Sequence, residues 1–453
     1  MAAGNALRRS LTGWGRTAPS RASVVGVREA EEVASAVLAA GARGLIPRGL
    51  GRSYGDVAQN GGGVVLDMTG MNRILRLDAE RGRVTVEAGC SIAELIDACL
   101  PQGWFVPVTP GTAHVTVGGA IATDVHGKNH HRDGSISRHV VEIVLVDPAG
   151  EIRRLGADSE RELFWATVGG LGLTGVIVEA TLDLIPVETG LMRVDLERTH
   201  DLGETFERLA ATDHLYRYSV AWIDCRRRGR SILIQGDHAR ASDANGHRRD
   251  IPQLAGGTAR RVPPGVSFGP LLRSRAVVAF NELHFRRARD VQGGLEPLAP
   301  LFFPLDAISD WNRLYGGGGF LQYQFVVPFE RDDVVRATIA RLTEAGASQT
   351  LAVLKRLGTA DGILSFPMPG WTLAVDIALP ARGLGRVLDE LDELVAAAGG
   401  RVYFAKDSRL RPELVERMYP RLAEWRRVQQ AIDPEGRMQC DLARRLRLTE
   451  RLA

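Results

Sequence analysis

Lysine is nearly absent from this chain. Of 57 basic residues in 453, three are lysine (Lys128, Lys355 and Lys406) and the rest are arginine. Under such a bias each lysine is a candidate for work that a guanidinium cannot do, because a compact ammonium has a movable pKa and three free donors. Chance survival at the surface is the competing reading, and context decides between them. Cysteine is scarce too: Cys90, Cys99, Cys225 and Cys440 show no CxxC spacing, which excludes a zinc ribbon and a disulfide framework. No apolar run approaches the roughly 18 residues of a membrane-spanning helix. Arg8-Arg9 is followed by Ser-Leu-Thr-Gly-Trp-Gly-Arg instead of an apolar core, so no signal peptide or twin-arginine export signal is expected. A net charge of +3 with dispersed arginine leaves no basic stripe for nucleic acid. These absences describe a reduced protein, cytoplasmic or peripheral at the plasma membrane, with the periplasmic face left open.

Glycine is abundant, at 51 residues, and clustered. The pattern predicts helices at 28–41 and at 91–100, the second capped by Ser91 with Glu94 three residues on. Strand-like runs fall at 63–68, 73–78, 83–88, 140–147 and 175–184, and a helix at 160–167. From about 191 the texture shifts to antiparallel strands (215–235, 320–328, 350–355, 371–379) and two amphipathic helices (331–346, 383–398). Residues 238–275 are rich in Arg, Gly and Pro and read as a loop or lid, and 419–447 as helical with a break at 433–436. The expectation is an α+β protein of two domains.

Gly-Leu-Gly-Leu-Thr-Gly at 170–175 satisfies GxGxxG, but a helix precedes it and a strand follows, the reverse of a Rossmann site. No GxxxxGK[ST] is present, so a P-loop is excluded. Three glycine-rich turns remain: Arg48–Asp56, Pro110–His126 and Gly169–Gly175. Bare backbone at separated turns suits a long ligand with an internal pyrophosphate. Each segment alone reads first as ordinary turns. Together with Asp124-Val-His126-Gly-Lys128-Asn129-His130-His131, the binding reading gains. His126 and His130 have a metal-like spacing, yet no third acidic or sulfur ligand accompanies them and no metal is expected.

Arg48-Gly-Leu-Gly-Arg-Ser-Tyr-Gly-Asp56, the Pro-Gly-Thr…Val-Thr-Val-Gly-Gly-Ala-Ile-Ala run and Asp-Val-His-Gly-Lys-Asn-His-His resemble the vanillyl-alcohol-oxidase type of FAD flavoprotein. Within it the chain is most similar to the polyprenyl-phosphoribose oxidases of actinobacterial arabinan synthesis, from Leu11 to Leu446, including Gly319–Phe325, Leu364–Trp371 and Ala405–Arg409. The resemblance implies a PCMH-type FAD-binding domain (1–190, completed by 401–453) with a substrate domain on an antiparallel sheet inserted at 191–400. It implies FAD contacts at Arg48, Gly49, Gly51, Arg52, Ser53, Tyr54 and Gly55, and at Pro110, Gly111, Thr112, Val117, Gly118, Gly119, Ala122 and Thr123. Further contacts are implied at His126, Gly127, Asn129, Gly172, Gly175, Val176, Ile177 and Lys406. Arginine stands at Gly51-Arg52-Ser53 where covalent relatives carry histidine, which implies non-covalent FAD.

All three lysines fall in motifs that the resemblance places around the flavin. It implies that Lys406 contacts the reacting sugar hydroxyl, Gln324 and Lys355 orient sugar or phosphate, and His126 with Lys128 lies beside the isoalloxazine. A cation there stabilises the anionic reduced ring. Tyr54, Trp222, Gln322, Gln324, Lys355 and Ala374 are the implied substrate pocket. The implied reaction oxidises the 2′-hydroxyl of a lipid-linked ribose phosphate to a 2′-keto sugar, which a short-chain reductase partner then reduces, completing epimerisation to arabinose. The lipid tail implies work at a membrane, with 238–275 as a peripheral contact. Two departures stand out: Ala374 where relatives have a flavin-facing cysteine, and Phe302-Phe303 where they have Tyr-His. An alditol or free-sugar oxidase of the same class is the alternative, and a non-catalytic flavin-binding protein is disfavoured by the convergence of the lysines.

Overall fold

The computed structural model describes residues 7–243, 254–255, 260–262 and 275–450. Its strands fall into two groups along the chain. The first makes a four-stranded sheet, Leu7–Leu11, Ser20–Gly26, Val64–Asp67 and Leu45–Arg48 in spatial order, and a five-stranded antiparallel sheet. The order of the latter is Ile74–Asp78, Arg83–Glu87, Val176–Asp183, Val140–Val146 and Ile152–Leu155. Val33 and Val37 of the helix Ala30–Leu38 pack with Leu45, Leu66, Val144, Val146, Val176 and Val178 in a core shared by the two sheets.

The second group forms one eight-stranded antiparallel sheet. Its order is Val291–Pro297, Leu191–Thr199, Arg230–His238, Tyr218–Asp224, Gln349–Leu357, Gly370–Ala378, Phe320–Val327 and Arg401–Val402. Side chains alternate across a strand, and directly paired residues share a face. One face carries Phe325, Leu373, Val375, Leu354, Ala352, Ala221 and Leu233, and it is covered by the helices Leu202–Thr212, Asp332–Glu344 and Leu384–Ala397. The other carries Gln322 opposite Asp376, Gln324 opposite Ala374, Lys355 opposite Thr372, and Trp222 opposite Val353. Gln324, Thr372 and Asp376 are nonetheless buried. A polar face that is covered instead of solvated is what positions the site.

Most of the expected elements are present. The Ser91 cap is a full capping box on Ile92–Cys99, Ser91 accepting from the Glu94 amide while Glu94 accepts from Ser91. The 419–447 region contains the helices Leu422–Ile432 and Asp441–Arg445. Two helices of more than ten residues were not expected, Leu202–Thr212 and Arg275–Arg287. The lid expected at 238–275 lies largely outside the described residues. Within it, the Leu254 and Ala255 amides each donate to the Asp97 carboxylate at 2.7 Å, and Arg260–Arg261 pairs with Ile308–Ser309. No helix among the described residues is long and apolar enough to cross a membrane.

The C-terminal segment is built into the first group of strands. Leu45 donates to the Arg437 carbonyl at 2.8 Å and accepts from Gln439 at 2.9 Å. Arg445 bridges two distant segments, holding Asp56 through both carboxylate oxygens (2.7 and 3.0 Å) and Asp407 at 2.8 Å. Breaking a buried pair strands the carboxylates, so Arg445→Met is expected to destabilise the fold by about 3 kcal/mol, read from the midpoint of equilibrium urea unfolding.

Candidate active site

Four pieces of chain converge on the polar face of the large sheet. The first is the turn at 53–55, which the backbone pins to the C-terminal segment: the Tyr54 amide donates to the Ala405 carbonyl at 2.9 Å. Gly55 permits this approach, because a Cβ there would lie 1.8 Å from the Asp407 carbonyl oxygen. The same contact brings Lys406 over Tyr54, with Nζ 3.8 Å from the ring centroid. Phe320 packs edge-on against Tyr54 at 5.3 Å and fixes the ring from the sheet side.

The sheet supplies two glutamines with different partners. The Gln322 amide donates to Asp376 at 2.6 Å and to the Tyr54 hydroxyl at 3.3 Å. Gln324 donates to His126 Nε2 at 2.9 Å and more weakly to Thr372 at 3.4 Å. Since His126 Nε2 accepts, its ring proton sits on Nδ1, a buried atom with no hydrogen-bond partner in the protein. Lys128 donates from Nζ to the Phe302 carbonyl at 3.1 Å, while its own carbonyl accepts from Ser219 at 2.9 Å. The Phe302-Phe303 departure therefore lies directly against one of the three lysines. Lys355 projects from Gln349–Leu357 onto the same face.

The charges reinforce this picture. Burial, followed by repulsion from Lys355, pushes Lys128 down to about 7, and burial alone brings Lys355 to about 8. Lys406 is lowered by burial; Asp376 opposes that shift and Lys355 adds to it. His126 is held well below its usual value by burial, then by Lys355, His130 and Lys406, and is neutral. Asp376 is raised chiefly by burial. Lys355 thus acts on Lys128, Lys406 and His126 at once.

Other expected residues are placed differently. His130 is engaged at both nitrogens, accepting from the Gly358 amide at Nδ1 (3.0 Å) and meeting Ser135 at Nε2 (3.1 Å), so it anchors a loop. Trp222 is covered edge-on by His284 at 4.8 Å. Ala374 is buried beside Gln324 in register. Gly172 and Gly175 belong to the turn entering Val176–Asp183, and Val176 and Ile177 are buried in that strand's pairing with Val140–Val146. Sequence reasoning missed Asp376 and the buried pair of Asp124 with the Ser365 hydroxyl. The signal for Asp376 was there: a lone charge in the apolar run Gly370–Ala378.

The glycine turns fit a cofactor with a pyrophosphate. A Cβ on Gly49 would lie 2.2 Å from Thr116 Oγ1, and the same hydroxyl accepts from the Gly119 amide at 3.3 Å, so the backbone of the first turn packs against the Thr116 side chain of the second. Backbone left bare by glycine, together with the unpartnered His126 Nδ1, is the kind of lining that a flavin dinucleotide takes. Arg52 lies over the Trp14 ring, 3.9 Å from its centroid. Widening the turn contact should therefore empty the site. Gly49→Val is expected to lower bound FAD about tenfold, equivalent to some 1.4 kcal/mol of binding, as flavin absorbance per protein with unchanged far-UV circular dichroism.

Residues 22–156 match the family of an FAD binding domain, and residues 382–446 match D-arabinono-1,4-lactone oxidase. The chain is 42% identical over 450 residues to a decaprenylphosphoryl-beta-D-ribose oxidase of Mycolicibacterium smegmatis, covering 97% of this chain and 98% of that protein. It is 40% identical over 373 residues to an uncharacterized protein in the mprA 5′ region of Streptomyces coelicolor, covering 79% and 99%. It is 34% identical over 180 residues to an L-gulono-1,4-lactone dehydrogenase of Mycobacterium tuberculosis, covering 39% and 40%.

Proposed function

The chain belongs to the decaprenylphosphoryl-β-D-ribose oxidase family of FAD flavoproteins, and from this premise we propose that it oxidises the 2′-hydroxyl of a polyprenyl-phosphoryl ribose to the 2′-keto sugar. The observation that carries this reading is the convergence of all three lysines, Lys355 on the covered sheet face acting on both Lys128 and Lys406, with Asp376 the carboxylate that acts on Lys406. Such a face attracts an anion, and a sugar phosphate is one. A neutral alditol gives the buried cations nothing to pair with, which disfavours the free-sugar alternative.

FAD, when bound, would supply the acceptor for the hydride, which carries both electrons of the oxidation. The residues do the rest. Lys406 Nζ, fixed over Tyr54, receives the hydroxyl proton. Its lowered pKa keeps a neutral fraction near pH 7, which suits a general base. Lys355 and Gln324 orient the sugar and its phosphate. His126, held neutral and braced by Gln324, presents Nδ1 toward the cofactor, and Lys128 places a cation nearby. The covered face excludes water from the reacting carbon. We assign 1–190 and 401–453 to the FAD-binding unit and 191–400 to the substrate unit. The keto product requires a reductase partner of the short-chain type, and the lipid tail requires contact with a membrane surface.

Anaerobic mixing of the yellow protein with a polyprenyl-phosphoryl-β-D-ribose should bleach its visible absorbance, and acid precipitation should leave the flavin in the supernatant. Bleaching by free alditols but not by the lipid-linked ribose would reverse the assignment. Flavin trapped in the pellet would contradict non-covalent binding. Lys406→Met should retain FAD yet lose more than about nine-tenths of the reduction rate, at least 1.4 kcal/mol of barrier, and Lys406→Arg should fail almost as badly because a planar fork cannot take an ammonium's place.

A further inference from the structure

We propose that Asp376 is a positioning residue for Lys406 and Tyr54: its carboxylate sets the charge on the amine through space and orients the tyrosine hydroxyl through Gln322. The inference rests on the reading of Lys406 as the group that meets the reacting hydroxyl. Its geometry is independent of that reading.

Asp376 lies in the middle of Gly370–Ala378, directly opposite Gln322 in the ladder, so its side chain shares the polar face with no freedom to turn toward solvent. Gln322 is the hinge of the arrangement: one amide group donates to Asp376 Oδ1 at 2.6 Å and to the Tyr54 hydroxyl at 3.3 Å. With its oxygen filled as an acceptor, Tyr54 keeps its own O–H free to donate into the site. The second carboxylate oxygen, Oδ2, is buried and has no hydrogen-bond partner. A carboxylate covered this way is costly unless a cation compensates it. Lys406 is that cation, acting on the carboxylate through space and held over the Tyr54 ring with Nζ 3.8 Å from its centroid.

The surrounding groups leave Asp376 as the counter-charge. Lys406 faces the Tyr54 ring, Lys355 from the neighbouring strand, and His126, which is neutral. Asp376 faces Gln322, Lys406, Tyr54 and Tyr315, and the Tyr315 hydroxyl is engaged by Thr350 at 2.6 Å. Arg52 acts on Tyr54 from the glycine turn. Burial and Lys355 both lower Lys406, and Asp376 alone among these raises it. Removing the carboxylate charge must therefore move the lysine's protonation to lower pH. The acidic limb of substrate reduction should follow it in the same direction.

The scarcity of lysine makes this measurable without substrate, because three lysines are the whole complement and all lie in the site. The holoenzyme would be trace-labelled with acetic anhydride at a series of pH values, and acetylation at each lysine read by peptide mass spectrometry. In Asp376→Asn, which keeps an acceptor for Gln322, the Lys406 midpoint should fall by about one pH unit, tenfold in the proton equilibrium, with Lys128 and Lys355 moving much less. Asp376→Glu, which retains the charge, should restore the midpoint, and it serves as the reference should the asparagine variant fold poorly. An unmoved Lys406 midpoint, or all three lysines moving together, would overturn the proposal. A shifted midpoint in a protein that never oxidises the ribose substrate would instead overturn the functional reading and leave Asp376 in place.

Discussion

The structure depends on a sheet that is covered on both faces although only one face is apolar. Helices take the apolar side, as hydrophobic burial dictates. The polar side is closed by the glycine turn at 53–55 and the segment around Lys406, which can come so close because Gly55 presents no side chain to Asp407. Once that closure is made, every polar group on the face must find a partner inside the protein or in what it binds. Gln322, Gln324, His126 and Asp376 pair among themselves, while His126 Nδ1 and Asp376 Oδ2 keep capacity in reserve.

Three half-buried amines on one face are a cost to folding, and the shifts of Lys128 and Lys355 measure it. A face of this kind has no structural rationale by itself, since leucine or methionine would pack as well. It makes sense as a receptor for negative charge. The ionic link from Asp56 through Arg445 to Asp407 ties the glycine turn to the segment that carries Lys406.

Much of this was legible in the sequence where the cause is local or compositional. The capping box at Ser91 and Glu94 is a four-residue signal, and the lysines stood out against a chain that otherwise uses arginine. The same local signal was present at Asp201 and Glu204, where Asp201 accepts from the Glu204 amide, yet Gly203 within the first turn obscured the helix that follows. Asp376 stood out as a lone charge in an apolar run, but its role did not. An aspartate in an alternating strand normally marks a solvent face, and only the pairing with Gln322 and the cover of Tyr54 reverse that meaning. The helix Arg275–Arg287 was hidden by its Arg-, Gly- and Pro-rich approach. The glycine turns suggested a dinucleotide through their number, while their mutual packing through Thr116 is a tertiary fact.

The most direct test of a buried cationic face built for a sugar phosphate is to remove the phosphate from the substrate and the charge from the face in one cycle. Reduction kinetics of farnesylphosphoryl-β-D-ribose and of a phosphate-free ribofuranoside would be compared in the wild type and in Lys355→Met. Loss of the phosphate should cost the wild type at least about a hundredfold in kcat/KM, near 2.7 kcal/mol, and cost the Lys355→Met protein far less, because the two changes remove the same interaction. Equal losses in both proteins would show that the lysine does not meet the phosphate and that the buried charge serves another purpose.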